Sequence, residues 1–500
     1  LSSINNQTTA GDSAQLLNAR ISGDSSTPVI DVTHDSRQAG PGFLFAAIRG
    51  LTMDGHRFVD DVMRRGAAGI ISELECPADF AGVWLQVADA RAAMAQAAAL
   101  AHGDPSRKLK LVGITGTNGK TTTTYLCRAL AEAAGDTAAM LTTVEYRIGA
   151  ESQPAVRTTP EATDTQRFLR EALDKGCQMA AMETSSQALH LHRCDGLYFR
   201  VAVFTNLTRD HLDYHHTMEA YFDAKKMLFD GRLGEKPASS VINVDDEWGA
   251  KLAAELLSAG QRVVTFAQNS EADLTASEID VSLIHGTSFT LRSPQGEQRI
   301  TSPLVGKPHV YNMLSAAATA FELGSGMDAV VRGLADCVGA PGRFERTPNP
   351  EGNFAVVVDY AHSDDALLNT LQTARELTAG RIITVFGCGG DRDKTKRAPM
   401  GEVAGQNSDL AIVTSDNPRN EDPLQIIAEI EAGLKPTGCE YKIVPDRREA
   451  IFQAVKSAQA GDVVIIAGKG HETYQIVGND KFHFDDREAA ADALAAISEE

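Results

Sequence analysis

The stretch "LKLVGITGTNGKTTTTYLCRALAEAAG" (109–135) constrains this chain more than any other. Its apolar start (109–115) reads as a buried strand, and 121–135 reads as an amphipathic helix ending in glycine. Between them, Gly116 and Gly119 let the backbone turn tightly and offer N–H groups to anionic oxygens. The helix N-terminus adds a favourable dipole. Lys120 is placed to reach the outer phosphates of a nucleotide, and the Thr121 hydroxyl to ligate Mg²⁺. The register departs from the common nucleotide loop, G-x-x-x-x-G-K-[ST], because Ile114 stands where that loop has its first glycine. The bland alternative is a strand–turn–helix with a surface lysine. Gly-Lys-Thr opening a helix directly after a strand favours the phosphate cradle.

The 500 residues suggest three domains at about 150 residues each. An Ala-rich helix, "ARAAMAQAAALAHGDPSRK", runs into a Gly-Asp-Pro-Ser break at 103–106, and a Gly/Pro-rich break follows at 339–353. The expected domains are therefore 1–104, 105–340 and 341–500. In the last of these, "FAVVVDYAH", "RIITVFGCGG", "LAIVTSDNP", "YKIVPDR" and "DVVIIAGKG" alternate with helical stretches. Strand runs this apolar imply a mostly parallel sheet covered on both faces. The fold class is α/β, with ligands expected outside the carboxyl ends of the strands, although Asp and Asn at such ends also cap helices.

The formal net charge of −20 argues against a duplex nucleic-acid partner. Seven scattered cysteines without a C-x-x-C pair suit free thiols in a reducing compartment. No apolar stretch approaches the ~20 residues of a membrane span, and no basic-then-apolar signal opens the chain. A cytoplasmic protein, acting as a monomer, is expected.

Near the phosphate loop, "MAAMETSS" ends a buried run with Glu183, a carboxylate positioned for a metal ion. "TNLTRDHLDYH" follows the next apolar run with Asp210, His211 and Asp213. Two such groups suggest two divalent ions that would neutralise phosphate charge. His211 could equally be a locally satisfied helix-start residue. Lys225 lies on a helix among Tyr221, Phe222, Met227, Leu228 and Phe229. A solvated lysine there is unremarkable, whereas a buried one would lose its proton, and a neutral amine can take up CO₂ as a carbamate.

"GTNGKTTTT", "METSSQAL", "VFTNLTRDHLDYH", "AKKMLF", "GRFE", "VVDYAH", "FGCGGDRD", "SDNPR" and "AGKGHETYQ" occur in this order. Together they resemble the Mur ligases, whose loop reads T-G-T-N-G-K-T as here at 115–121. The resemblance covers nearly the whole chain and is weakest over the first hundred residues. It implies an N-terminal domain for a uridine nucleotide, a P-loop ATPase-like central domain, and a Rossmann-like C-terminal domain for an incoming amino acid. It implies ATP at Gly116, Thr117, Asn118, Gly119, Lys120, Thr121, Thr122, Asn312, Arg343 and Asp359. It also implies Mg²⁺ at Thr121, Glu183, His211 and Lys225, the last as a carbamate, with Lys120, Glu183, His211 and Lys225 serving catalysis. His34, Ser36, Leu51, Thr52 and Met53 match uridine-binding positions; Thr158, Thr159, Ser185 and Arg193 match positions that grip the muramoyl peptide. Leu191 departs from the pattern, standing where a polar residue such as Gln is expected.

Diaminopimelate-adding members carry D-N-P-R, as here at 416–419, and lysine-adding relatives lack the arginine. The resemblance thus implies that Arg392, Asp416, Asn417, Pro418, Arg419, Gly468 and Glu472 bind meso-diaminopimelate. A guanidinium suits the extra carboxylate by which that amino acid differs from lysine. The implied reaction is ATP-dependent amide formation through an acyl phosphate on UDP-N-acetylmuramoyl-L-alanyl-D-glutamate. The alternatives are the lysine-adding ligase, a P-loop kinase, and a nucleotide-binding scaffold; folyl-polyglutamate ligases share the loop but lack a uridine-binding segment and D-N-P-R.

Overall fold

The computed structural model describes residues 8–50, 53–283, 285–349 and 352–498. Three main sheets of five, eleven and six strands run through it, with a separate two-stranded hairpin. Contacts between residues gather the chain into two compact units. One runs to Ser277 and takes in Leu291–Gln298 and Tyr311–Leu334; the other comprises Glu278–Thr290, Arg299–Val310 and the chain from Ala335 onward.

In the first unit, Val83–Gln86, Gly69–Ser72, Phe43–Ala46 and Asp31–Thr33 lie side by side and parallel, with Arg20–Ser22 antiparallel at the edge. The Ala-rich helix forms as Ala90–Ala101, capped by the Asp89 carboxylate, which accepts the Arg91 and Ala92 N–H groups at 2.8 and 2.9 Å. Its small side chains pack it onto Val32, Leu44, Ile71 and Leu85 of this sheet. The Gly-Asp-Pro-Ser break folds as a tight turn, with Pro105 opening the one-turn helix Pro105–Lys108.

At the centre of the eleven-stranded sheet, Ser239–Asn243, Val201–Phe204, Lys110–Thr115, Met179–Glu183 and Ala138–Leu141 run parallel in that spatial order. The chain lays strands on one side of Lys110–Thr115 and then moves to the other. The segment following Lys110–Thr115 therefore emerges at a topological switch point, where open α/β sheets bind ligands. Antiparallel hairpins that sequence periodicity did not reveal extend the sheet, among them Glu145–Ile148 with Glu151–Pro154.

The second unit contains Ala355–Asp359, Val463–Ala467, Ile382–Phe386, Leu410–Val413 and Glu440–Ile443, all parallel, with Glu345–Thr347 antiparallel at the edge. These are the five apolar runs of the sequence. Alternate residues enter separate cores: Val357, Phe386 and Ile465 on one face, Val356, Ile383 and Val464 on the other. None of the seven cysteines, all among the described residues, forms a disulfide. Among the described residues, no helix is long and apolar enough to cross a membrane.

One polar node joins the five-stranded sheet to the helix Ala162–Asp174. Asp31 is buried and accepts hydrogen bonds from His102 Nε2 at 2.9 Å and Arg167 Nε at 2.7 Å. Arg167 also donates to the Val32 carbonyl at 2.9 Å and to Asp164 at 2.9 Å. Burial pushes the Asp31 carboxyl up, but the His102 and Arg167 hydrogen bonds outweigh it and hold the group below its usual range. A depressed carboxyl pKa stabilises the fold above its unfolded-state value of about 3.9, and that contribution fades as pH falls through the lower folded value. Asp31→Asn should cost about 2–3 kcal/mol at pH 7, because it removes the buried anion of Arg167 and leaves it only the exposed Asp164. The loss should shrink below about pH 4. Urea unfolding followed through tryptophan fluorescence, to which the buried Trp84 contributes, measures both.

Candidate active site

The loop between Thr115 and Lys120 is held from outside by the segment following Val201–Phe204. Thr205 Oγ1 donates to the Asn118 carbonyl at 2.6 Å, Asn206 Oδ1 accepts the Asn118 N–H at 2.9 Å, and the Asn206 carbonyl accepts the Thr117 N–H at 2.9 Å. The loop passes so close to this segment that a Cβ on Gly116 would lie 1.9 Å from Thr205 Oγ1. Gly119, at φ 86, is the N-cap of the helix Lys120–Ala133, and a Cβ there would meet Asn312 Oδ1 at 2.4 Å. Asn312 is thus brought against the loop, and Thr121 and Thr122 lie buried in the first helical turn.

The carboxyl ends of the neighbouring strands supply the other groups. Glu183 ends the strand paired with Lys110–Thr115, is buried, and accepts from Thr121 Oγ1 at 2.9 Å. It also accepts the Thr143 N–H at 2.8 Å. Lys225 is 1% exposed on the helix Met218–Asp230. Its Nζ contacts the Gly116 carbonyl at 2.8 Å, and Lys120 Nζ donates to the same oxygen at 2.9 Å. Burial, and then the Lys120 charge, drive the Lys225 pKa well down, with Asp210 opposing only in part. The buried amine also sits 4.5 Å from the Tyr221 ring centre. His215 stacks on that ring at 5.1 Å and meets Ser186 Oγ at 2.9 Å; burial pushes its pKa down to about 4.

His211 is less enclosed. It is the N-cap of the helix Leu212–His215 at φ 52, its side chain is 47% exposed, and its Nε2 lies 3.5 Å from Asp210. Its ring stands edge-on to Tyr221 at 6.0 Å. Among the described residues, no three His, Cys, Asp or Glu side chains gather as a metal-holding group.

Beside Glu183, Thr159 Oγ1 donates to the Glu183 carbonyl at 2.9 Å and accepts the Ser185 N–H at 3.1 Å. Thr143 Oγ1 donates to Thr158 Oγ1 at 3.1 Å. Arg193 donates to the Thr159 carbonyl at 3.3 Å and pairs with Glu161 at 2.9 Å. The four residues assigned to the peptide grip therefore form one cluster. Leu191 ends the adjoining helix Ser186–His190. In the five-stranded sheet, His34 and Ser36 follow Asp31–Thr33; His34 Nδ1 is buried without a hydrogen-bond partner among the described residues, and the Ser36 carbonyl accepts from Arg65. Met53 is exposed, and Leu51 and Thr52 lie outside the described residues.

A separate cluster occupies the carboxyl ends of the strands in the second unit. Asn417 Nδ2 donates to Glu472 Oε2 at 2.9 Å, and Arg419 donates to the Gly390 carbonyl at 2.8 Å. Asp416, Asn417 and Pro418 are buried, Arg419 is half-buried, and Arg392 is exposed. Burial raises the Glu472 carboxyl, with the Asp416 charge adding to it. Burial also acts on Asp416, but the Lys469 and Arg447 charges outweigh it and hold that carboxyl below its usual range. Elsewhere in this unit, Asp359 accepts the Phe344 N–H at 2.6 Å, and burial raises its carboxyl. Arg343 lies over the Tyr360 ring at 4.7 Å.

Sequence reasoning passed over Thr205, Asn206, Thr143 and Lys469. The first three carry hydroxyls or amides that read as ordinary loop polarity. Lys469 stands in the quoted "AGKGHETYQ", and its flanking glycines were the available signal.

Residues 114–320 match the Mur ligase middle domain, 342–470 the Mur ligase glutamate ligase domain, and 29–102 the Mur ligase family catalytic domain. The chain is 47% identical over 468 residues to a UDP-N-acetylmuramoyl-L-alanyl-D-glutamate–2,6-diaminopimelate ligase from Solibacter usitatus, covering 94% of each chain. A solved structure of a ligase with that same name superposes with a TM-score of 0.74 at 32% identity, covering 99% of this chain and all of the other. A MurF ligase from Thermotoga maritima, solved in complex with ADP, has the same fold at a TM-score of 0.59 and 18% identity, covering 93% and 96% of the two chains.

The loop geometry yields a direct test. Gly116→Ala must displace either the loop or Thr205, and a shift of about 1 Å in a positioned phosphate site costs on the order of 100-fold in kcat/KM. Steady-state kinetics with ATP as the varied substrate should show that loss while the thermal unfolding midpoint changes little.

Proposed function

The chain belongs to the Mur ligase family, and we propose that the residues around its phosphate loop and around Arg419 carry one ATP-driven amide synthesis. It is an ATP-dependent ligase that adds meso-2,6-diaminopimelate to UDP-N-acetylmuramoyl-L-alanyl-D-glutamate in peptidoglycan synthesis. The γ-carboxylate of the D-glutamyl residue attacks the terminal phosphorus of ATP, forming an acyl phosphate and releasing ADP. The amine of diaminopimelate then attacks the acyl carbon, and the tetrahedral intermediate expels phosphate and loses a proton to give the amide.

The first step brings two anions together, so electrostatic stabilisation dominates. Loop N–H groups from Gly119 to Thr122 cradle the phosphates, while Asn206 holds the Thr117 and Asn118 N–H groups, and Lys120 supplies positive charge. Asn312, Arg343 and Asp359 complete the ATP contacts. Thr158, Thr159, Ser185 and Arg193 hold the peptide carrying the reacting carboxylate. His34, Ser36, Leu51, Thr52 and Met53 hold the uridine nucleotide.

Mg²⁺ would be held by Thr121, Glu183, His211 and Lys225, and would supply charge neutralisation at the phosphates. The donor set fits: the Thr121 hydroxyl touches the Glu183 carboxylate at 2.9 Å, and Lys225 is a buried amine driven toward neutrality. A neutral amine can add to CO₂, and the resulting carbamate carries the anionic oxygens that hard cations prefer. Lys225→Ala should reduce ligation at least ~100-fold, with small carboxylates restoring part of it by re-supplying oxygen ligands. Near-normal turnover in phosphate-release assays would refute the role of Lys225.

The observation that carries the amino-acid assignment is the cluster of Asp416, Asn417, Arg419 and Glu472 at the carboxyl ends of the strands, where Asn417 Nδ2 donates to Glu472 at 2.9 Å and Arg419 donates to the Gly390 carbonyl at 2.8 Å. The two carboxylates suit the distal ammonium of diaminopimelate, and the guanidinium suits its distal carboxylate. Arg392, Pro418 and Gly468 complete the site. A lysine-adding ligase has no use for Arg419. The enzyme is read as a cytoplasmic monomer with domains 1–104, 105–340 and 341–500. Preference for meso-diaminopimelate over L-lysine should reach at least ~100-fold, about 2.7 kcal/mol at ~1.36 per decade. Arg419→Ala should raise the KM for diaminopimelate and erase most of that preference; equal use of lysine by the unmutated enzyme would sink the assignment.

A further inference from the structure

Lys469 lies between Gly468 and Gly470, just past the strand Val463–Ala467, and is 0% exposed. An ammonium has three donors and no acceptor. Two of those of Lys469 reach the Tyr474 carbonyl at 2.7 Å and Asn417 Oδ1 at 3.1 Å, and the ammonium forms an ion pair with Asp416 Oδ1 at 3.1 Å, while Glu472 Oε2 stands at 3.9 Å. One buried cation thus ties the 416–419 turn to the chain entering the hairpin Tyr474–Val477/Asp480–His483.

These contacts fix the side chain of Asn417. Its Oδ1 accepts from Lys469 Nζ and from the Ile476 N–H at 2.9 Å. A flipped amide would turn its NH₂ group into both donors, so only one orientation satisfies the surroundings. That orientation aims Nδ2 at Glu472 Oε2, 2.9 Å away, and so sets where the carboxylate points. On the opposite side, Arg419 N–H donates to the Ile476 carbonyl at 3.1 Å, and Gln475 Nε2 donates to the Asp416 carbonyl at 2.6 Å. Through Tyr474, Lys469 fixes the start of the hairpin strand to which the Arg419 backbone is joined.

We propose that Lys469 is a positioning and specificity-determining residue for the amino-acid substrate. Without touching the substrate, it sets the Asn417 amide, balances Asp416 and Glu472, and so fixes the anionic side of a site whose cationic side is Arg419. The inference rests on the reading of 416–419 and 468–472 as the diaminopimelate site. A zwitterionic distal centre needs both sides at fixed separation, whereas a lone ammonium needs only the anionic one. Loss of Lys469 should therefore weaken binding of diaminopimelate more than that of lysine.

The test compares Lys469→Met, of similar length and neutral, with the unmutated enzyme in full ligation assays. The KM for meso-diaminopimelate should rise at least ~10-fold, and preference over lysine should fall by a similar factor, while the KM values for ATP and the uridine-linked dipeptide stay within about twofold. A merely structural lysine would alter all three KM values together, and that outcome, or no change, overturns the proposal. Should Lys469→Met fail to fold, as judged by circular dichroism, Lys469→Arg decides instead. It keeps the positive charge but not the ammonium geometry that meets Asn417 Oδ1 and the Tyr474 carbonyl. A selective rise of at least ~10-fold in the KM for diaminopimelate supports the proposal; an unchanged KM, or a rise shared by all three substrates, overturns it. Arg419→Ala is run in parallel. If it leaves amino-acid preference intact, the site reading itself fails; if it abolishes preference while the Lys469 variants do not, only the role of Lys469 fails.

Discussion

Burying an ammonium is costly, and two wholly buried lysines resolve that cost in opposite ways. Lys225 faces a carbonyl it shares with Lys120, and the ring of Tyr221, so the environment favours removing its proton. Lys469 instead meets carboxylates, Asp416 at 3.1 Å and Glu472 at 3.9 Å. One surrounding offers the amine no carboxylate contact among the described residues, the other ties the amine to two carboxylates and to the hairpin beyond. Both lie just beyond parallel strands: Lys225 against the loop that follows Lys110–Thr115, Lys469 directly after Val463–Ala467.

Within the first unit, the order of the strands concentrates function. Lys110–Thr115 is flanked by Met179–Glu183 and Val201–Phe204, so the loop, Glu183 and the Thr205–Asn206 clamp emerge side by side at the same end of the sheet. The clamp does more than shape the loop. By taking the Thr117 and Asn118 N–H groups and the Asn118 carbonyl, it holds the backbone in place before any ligand arrives, which lowers the reorganisation that binding would require.

The parallel strands were legible because each is buried on both faces and so reads as an uninterrupted apolar run; Val463–Ala467 and Ile382–Phe386 are examples. The hairpin Glu145–Ile148/Glu151–Pro154 was not, because its outer strand is wholly exposed and carries no alternation for a periodicity argument to detect. The site divides similarly. Gly116, Lys120 and Glu183 announce themselves by residue type at strand ends. Lys469 and Asp31 do not, since a lone lysine or aspartate reads as surface until tertiary packing encloses it. Leu51 and Thr52, named from the resemblance, fall outside the described residues.

The Asp31 node bears on how such chains can be recombined. Asp31 and His102 lie on the N-terminal side of the break at Asp104, and Arg167 lies beyond it. The salt bridge therefore links a segment that matches one family domain, 29–102, to a segment that matches another, 114–320. A transplanted N-terminal segment lacking an acid at position 31 would leave the Arg167 guanidinium with only the Val32 carbonyl and the exposed Asp164, and would loosen the strand that leads into His34 and Ser36. Compatibility between donor and recipient in such a chimera is written in this one charge pair, and a graft preserving both halves carries with it the register of the segment that holds His34 and Ser36.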